Sequence, residues 1–193
     1  MDTIHPTREG WLLAARDLLA AERFTPAGLD LWKTRVSVGF PVGRNRTKRI
    51  GECHYEHNSR DQTRELFISP VLDNPAGNQG VLATLTHELL HAALPVNVGH
   101  RGRFIRGMRT LGLQGKPTAT VASPELQAWL ESSVLPRLGA YPHAALQGPA
   151  RNGRRRNRHR KYTCPGCDQI IRAAGTGLNA LCGNCGLAFE LAD

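Results

Sequence analysis

His87-Glu88-Leu89-Leu90-His91 decides how the rest of this chain is read. It lies in a run over residues 81–93 in which Val81, Leu82, Leu85 and Leu89 recur at helical spacing. Residues four apart share a helix face, so His87 and His91 can aim two imidazoles at one metal ion. Glu88, one step round the helix, is placed to reach a water molecule beside that ion. The periodicity turns the apolar stripe toward a core and puts Thr84, His87, Glu88 and His91 on the other side, and Pro95 ends the run. A catalytic metal of this kind needs a third protein ligand and one open position. His100 is the candidate, after the turn-like segment Pro95-Val96-Asn97-Val98-Gly99; Glu125 and Glu131 on a later helix are the alternatives. The closer glycine-histidine spacing of the metzincins is absent. The bare five-letter pattern also occurs by chance on structural helices, so its weight depends on what the rest of the chain adds.

A second constellation lies near the C-terminus. Cys164-Pro165-Gly166-Cys167 is followed, 14 residues later, by Cys182-Gly183-Asn184-Cys185. Two such pairs at this separation point to a four-cysteine structural zinc site, and a single redox dithiol fits them poorly. A glycine inside each pair is expected to make the tight turn round the metal. Ile170-Ile171-Arg172 and residues 187–191 read as its strands. About 30 residues bury little core, so the metal is expected to supply much of the folding free energy. Cys53 has no partner at ligand spacing and reads as a buried thiol.

The 193 residues suffice for one medium domain and a small one, and 40% hydrophobic content suits a globular core. No run of 18 apolar residues occurs, and the N-terminus lacks a signal-peptide layout, so a cytoplasmic protein is expected. The net charge is +9, of which +5 falls in residues 151–193. Arg151, Arg154, Arg155, Arg156, Arg158, Arg160 and Lys161 form an eleven-residue stretch with no apolar member. Such a run is either a solvated linker or a sequence-independent contact to a polyanion, most often nucleic acid. The expected division is residues 1–140, a basic linker at 141–161, and a zinc ribbon at 162–193.

Within the larger part, residues 7–23 read as an amphipathic helix, with Trp11, Leu12, Ala15, Leu18, Leu19 and Glu22 at helical spacing on one side and Arg8, Arg16 and Asp17 outward. Residues 36–40, 50–55 and 65–69 read as strands. His54 and His57 flank a polar turn and are expected to face solvent. Arg44, Arg46, Lys48 and Arg49 form either a solvated hairpin tip or a phosphate-contacting loop. Residues 101–113 read as a helix ended by Gly112 and Gly115-Lys116-Pro117, and Ser123-Pro124-Glu125 as the start of another. Arg103, Arg106 and Arg109 recur along one side of the first of these, as a solvated face or as a lining of the approach to the site. The expected fold is α+β: a small, mostly antiparallel sheet packed with helices, zincin-like, beside a ribbon.

Residues 87–104, HELLHAALPVNVGHRGRF, resemble the core of the SprT-like metallopeptidases, the family of the Spartan repair proteases. Gly99, His100 and Phe104 match that family's downstream Gly-His and aromatic. Ile50-Gly51-Glu52-Cys53 and Leu66-Phe67-Ile68-Ser69-Pro70 resemble the strands before its helix, and the C-terminal cysteines its ribbon ending. The resemblance implies zinc-dependent peptide-bond cleavage, in some members directed at proteins attached to DNA. It implies a catalytic zinc on His87, His91 and His100 with Glu88 as the proton-transfer residue, a second zinc on the four cysteines, and a protein or peptide substrate, with sequence-independent contact to DNA; no membrane partner is expected from the composition. Two other classes remain: a nucleic-acid-binding zinc protein whose HExxH domain cuts nothing, and a metal-dependent hydrolase of some other bond.

Overall fold

Thr7 caps the first helix, its Oγ1 accepting from the Gly10 amide at 3.1 Å. Helix α1 (Arg8–Leu19) then runs into one wider turn at residues 20–24. The computed structural model describes residues 4–42, 49–147, 159–174 and 177–192. The chain divides into two compact units, Met1–Pro149 and Ala150–Asp193. Arg44, Arg46, Lys48, Arg151, Arg154, Arg155, Arg156 and Arg158 lie outside the described residues.

The inward stripe of α1 is as expected: Trp11, Leu12, Ala15 and Leu19 are fully buried. Arg8 is a correction. It is buried, because its guanidinium donates to the carbonyls of Pro70 (3.0 Å) and Pro142 (3.1 Å) and reaches those of His143 and Ala144. Periodicity assigned it outward because every acceptor lies more than sixty positions away. The same corner is closed by Trp11, whose Nε1 donates to Gly139 O at 3.2 Å and whose ring meets Tyr141 edge-on.

Strands β1 (Thr34–Val38), β2 (Gly51–His54) and β3 (Arg64–Ile68) form a sheet in the order β1-β3-β2. β2 pairs antiparallel with β3, but β1 and β3 are parallel, so this sheet is mixed and not mostly antiparallel. The reason is topological. After β1 the chain returns as β2 on the far side of the place that β3 then fills, so the central strand runs the same way as the first.

Helix α2 (Val81–Ala93) packs against β2, β3, α1 and two elements that follow it. Ten of its thirteen residues are buried, among them Thr84 and Glu88 on the side the periodicity turned outward. Its first amides are satisfied by Asn74 O and Pro75 O at 2.9 and 3.0 Å. Its C-terminal end is met by Arg64 of β3, which donates to Ala92 O at 2.7 Å and Leu94 O at 2.8 Å. Arg64 is itself held by Glu56 at 2.6 Å and covered by the Trp32 and Tyr55 rings.

Helix α3 (Arg103–Thr110) buries Phe104, Gly107 and Met108. The residues after it make a hairpin, β4 (Leu113–Lys116) and β5 (Ala119–Ala122), where the glycines in the sequence point only to a helix end. Gly112 and Gly115 adopt φ +82° and +89°, which suits the turn into that hairpin as well as a stop. Helix α4 (Pro124–Trp129) starts at the Ser123 cap, whose Oγ accepts from Leu126 N at 3.2 Å. A wide turn over residues 130–134 joins it to α5 (Leu135–Leu138).

In the second unit β6 (Arg160–Thr163) lies between β7 (Ile170–Ala173) and β8 (Glu190–Leu191), antiparallel to both. Arg160 and Lys161, read as linker, are strand residues leading into the buried Tyr162. The strand expected over residues 187–191 is reduced to its last two residues and one bridge, Leu181 with Ala188. Among the described residues no helix is long and apolar enough to cross a membrane. The whole is α+β, built of small sheets and short helices.

Arg64→Met should lower the stability of the first unit by about 1–3 kcal/mol, because it strands two helix-end carbonyls and the Glu56 carboxylate. Arg64→Lys should recover only part, since an ammonium cannot span the same acceptors in one plane. Chemical denaturation of the variants reads both; a Met variant as stable as the parent would contradict this account of the helix end.

Candidate functional site

The helical pitch of α2 sets His87 and His91 side by side, their rings 5.0 Å apart. His100 arrives from a short turn after the helix, and Gly99 before it takes φ +53°, open to glycine at little strain. His100 Nε2 then lies 3.2 Å from His87 Nε2 and 3.1 Å from His91 Nε2. Tetrahedral ligation at the usual zinc–nitrogen length places neighbouring nitrogens about 3.3 Å apart, so the three are spaced for one ion. They can hold a metal ion; their ligand atoms all lie within 4.8 Å of one another. Phe104 lies against all three rings at 4.4 to 5.0 Å and fixes the floor of the set. Glu125 and Glu131 are exposed on α4 and the turn after it and do not join the group.

Burial makes these imidazoles good ligands before any ion is present. It lowers the pKa of His87 to about 4 and of His91 to about 3, with neighbouring histidines adding to the shift, and it lowers that of His100 as well. All three are thus neutral, the form that ligates, at neutral pH. His87 also has an outer partner. Its Nδ1 is 2.8 Å from Thr120 Oγ1 on β5. With Nδ1–H donating to that hydroxyl, the Nε2 lone pair is left for the metal, an arrangement that fixes both tautomer and ring angle. Thr120 was missed by the reading of the sequence, since nothing in Ala119-Thr120-Val121 marks it; only the hairpin register, Thr120 opposite Gly115, brings it to α2.

Glu88 lines the same cleft, a cavity of about 550 Å³ bounded by β2, α2, His100 and the β4–β5 turn. Its carboxylate is pushed up to about 8, by burial first and by Glu52 second, with Arg49 opposing. No group among the described residues donates a hydrogen bond to it. A cation on the adjacent imidazoles would act in the opposite direction on its pKa. The room for Glu88 is made by Gly51: a Cβ there would stand 2.5 Å from Glu88 Oε1 and 2.8 Å from Thr84 Cγ2. Arg49 of the basic loop is at the cleft wall and is paired with Glu52 at 2.7 Å. Cys53 is half-buried there, its thiol raised to about 12 by burial and then by Glu88, so it is an unreactive wall. His54, expected in solvent, is half-covered beside Glu52 and Phe67, while His57 is exposed.

In the second unit the four cysteine sulfurs also lie within 4.8 Å of one another, with Cys167 and Cys182 Sγ at 3.6 Å. Tetrahedral thiolate ligation of zinc places sulfurs about 3.8 Å apart, so this set too is spaced for one metal ion. The amides of Asn184 and Cys185 lower Cys182 to about 7, toward the thiolate. The tight φ falls not on Gly166 or Gly183 inside the pairs but on the residue that follows each pair, Asp168 (φ +56°) and Gly186 (φ +70°), whose amides close turns on Cys164 O and Cys182 O.

No family model matches the chain, and neither curated proteins nor solved structures show a match to it.

Thr120→Val should weaken metal binding at the histidine set roughly 10- to 100-fold, and Thr120→Ser should restore most of it. Competition titration with a chelator, the cysteine set already loaded, measures this; equal affinity in Val and Thr chains would remove Thr120 from the site.

Proposed function

We propose that the chain is a zinc metallopeptidase of SprT-like type. The observation that carries the proposal is the convergence of three neutral imidazole Nε2 atoms beside a buried carboxylate in one open cleft. His87, His91 and His100 would hold the zinc, and Thr120 and Phe104 would hold the rings. Bound there, zinc supplies Lewis acidity, polarising a carbonyl oxygen and making a water molecule acidic at neutral pH.

The chain's own residues supply the rest. Among the described residues Glu88 has no hydrogen-bond donor although it is buried, which is costly for a carboxylate that serves only structure and is suited to one that takes a proton and passes it to a leaving amine. Among the described residues β2 is an edge strand, and Gly51, Glu52 and Cys53 line the cleft. An exposed strand edge beside the reacting groups fits an extended peptide, which can add to it by backbone hydrogen bonds. This favours peptide over the other bonds a metal hydrolase might cut. The four-cysteine unit is read as a structural zinc ribbon. Its neighbouring basic run, together with Arg160 and Lys161 on β6, fits sequence-independent contact with DNA.

The rival reading, a nucleic-acid-binding protein with an inert HExxH domain, leaves Glu88 and the space that Gly51 makes for it unexplained.

Glu88→Gln separates the two. It should leave metal content at the histidine set unchanged and reduce cleavage of an unfolded protein substrate at least 100-fold, the scale of a lost general base. It should also raise the thermal stability of the metal-free chain, because an amide is easier to bury than a carboxylate. Undiminished cleavage would sink the mechanism, and loss of metal would show that Glu88 is a ligand.

A further inference from the structure

Helix α3 carries a charge pattern that the stability of a helix does not explain. From residue 89 to residue 124 the chain has no aspartate or glutamate, and it has Arg101, Arg103, Arg106, Arg109 and Lys116. The four arginines are exposed, and none makes an ion pair or a side-chain hydrogen bond among the described residues. Elsewhere in the first unit Arg16, Arg35, Arg49, Arg64 and Arg137 each sit within ion-pair distance of a carboxylate.

Positions 103, 106 and 109 advance round the helix in steps of about −60°, so the three guanidiniums share an arc of about 120° opposite the buried Phe104, Gly107 and Met108. Like charges three apart on a helix repel. Arg103 stands in the first turn, where the helix dipole disfavours a cation and where no acidic residue compensates. The arrangement lowers the stability of α3 in the free chain, and an anion laid along the arc relieves it.

We propose that the Arg103–Arg106–Arg109 face of α3 is a docking surface for the phosphate backbone of duplex nucleic acid, with Arg101 at its edge beside His100. A guanidinium presents a planar fork that matches a phosphate, and several at this spacing bind without reading bases. The face has none of the features of the other occupants. No large exposed apolar side chain lies on α3, so a membrane would gain no insertion, and a protein partner would meet no aromatic or aliphatic anchor. The proposal does not rest on peptide cleavage: the Glu88→Gln chain should bind duplex as the parent does.

Binding of the full chain to a short mixed-sequence DNA duplex, followed by fluorescence anisotropy across a salt series, is the test. Arg103→Gln, Arg106→Gln and Arg109→Gln together should weaken binding and flatten the slope of log K against log salt by about 2 to 3, at about 0.9 per phosphate contact. Arg106→Gln alone, at an exposed mid-helix position that folding tolerates, should flatten it by about 1. Lys33→Gln, Arg60→Gln and Arg137→Gln together remove the same charge elsewhere on the unit and should leave the slope nearly unchanged. An equal effect of the two triple variants, or none from the α3 variants, would overturn the proposal. So would displacement of the duplex by oligoglutamate of matched charge as readily as by a second duplex, which would make an acidic protein segment the occupant.

Discussion

A helix that carries two imidazoles and a carboxylate is buried on almost every side, and the first unit is arranged around that constraint. Burying polar groups is unfavourable unless each finds a partner or a use. The main-chain ends of α2 are met by Asn74, Pro75 and Arg64. His87 is met by Thr120, and the three histidines meet one another. Glu88 finds no donor among the described residues and sits in the space that Gly51 provides. Read this way, β2, β3, the β4–β5 hairpin and the start of α3 are the walls of one helix. The cleft is the place where the walls stop short of it.

The parts of this arrangement visible in the sequence are those written in local spacing. The i, i+4 histidines, the apolar stripe of α2, the Ser123 cap and the paired cysteines depend on near neighbours, and near neighbours are what a sequence displays. His100 was within reach of the same reasoning because a single turn separates it from α2. Arg8, Arg64 and Thr120 were not, since these partners lie 28 to 136 positions away and come near only through the tertiary fold. The parallel pairing of β1 with β3 was hidden for the same reason: alternation shows that a segment is a strand and says nothing of which strand lies beside it. Thr84 and Glu88 were turned outward because the periodicity marks one apolar face, while the polar face here is covered by another layer.

The second unit rests on a different balance. Its described strands are two to four residues long, and apart from the cysteines Tyr162 is its one fully covered large side chain among the described residues. Ile170, Leu181, Leu187 and Leu191 remain exposed. So little burial cannot offset the ordering of the backbone. The two turns that close on Cys164 and Cys182 nevertheless bring four sulfurs together. A metal ion held on those sulfurs would close the balance and would make the fold of this unit conditional on the ion.

The central claim is that His87, His91 and His100 form one metal site, separate from the cysteines. Elemental analysis of the purified full chain, beside His100→Ala and Cys182→Ser chains, tests it most directly. The account predicts two zinc equivalents in the parent. His100→Ala should lose the histidine-bound zinc and keep the cysteine-bound one, while Cys182→Ser should do the reverse. A parent chain with one equivalent, or a His100→Ala chain that keeps both at parental affinity, would contradict it.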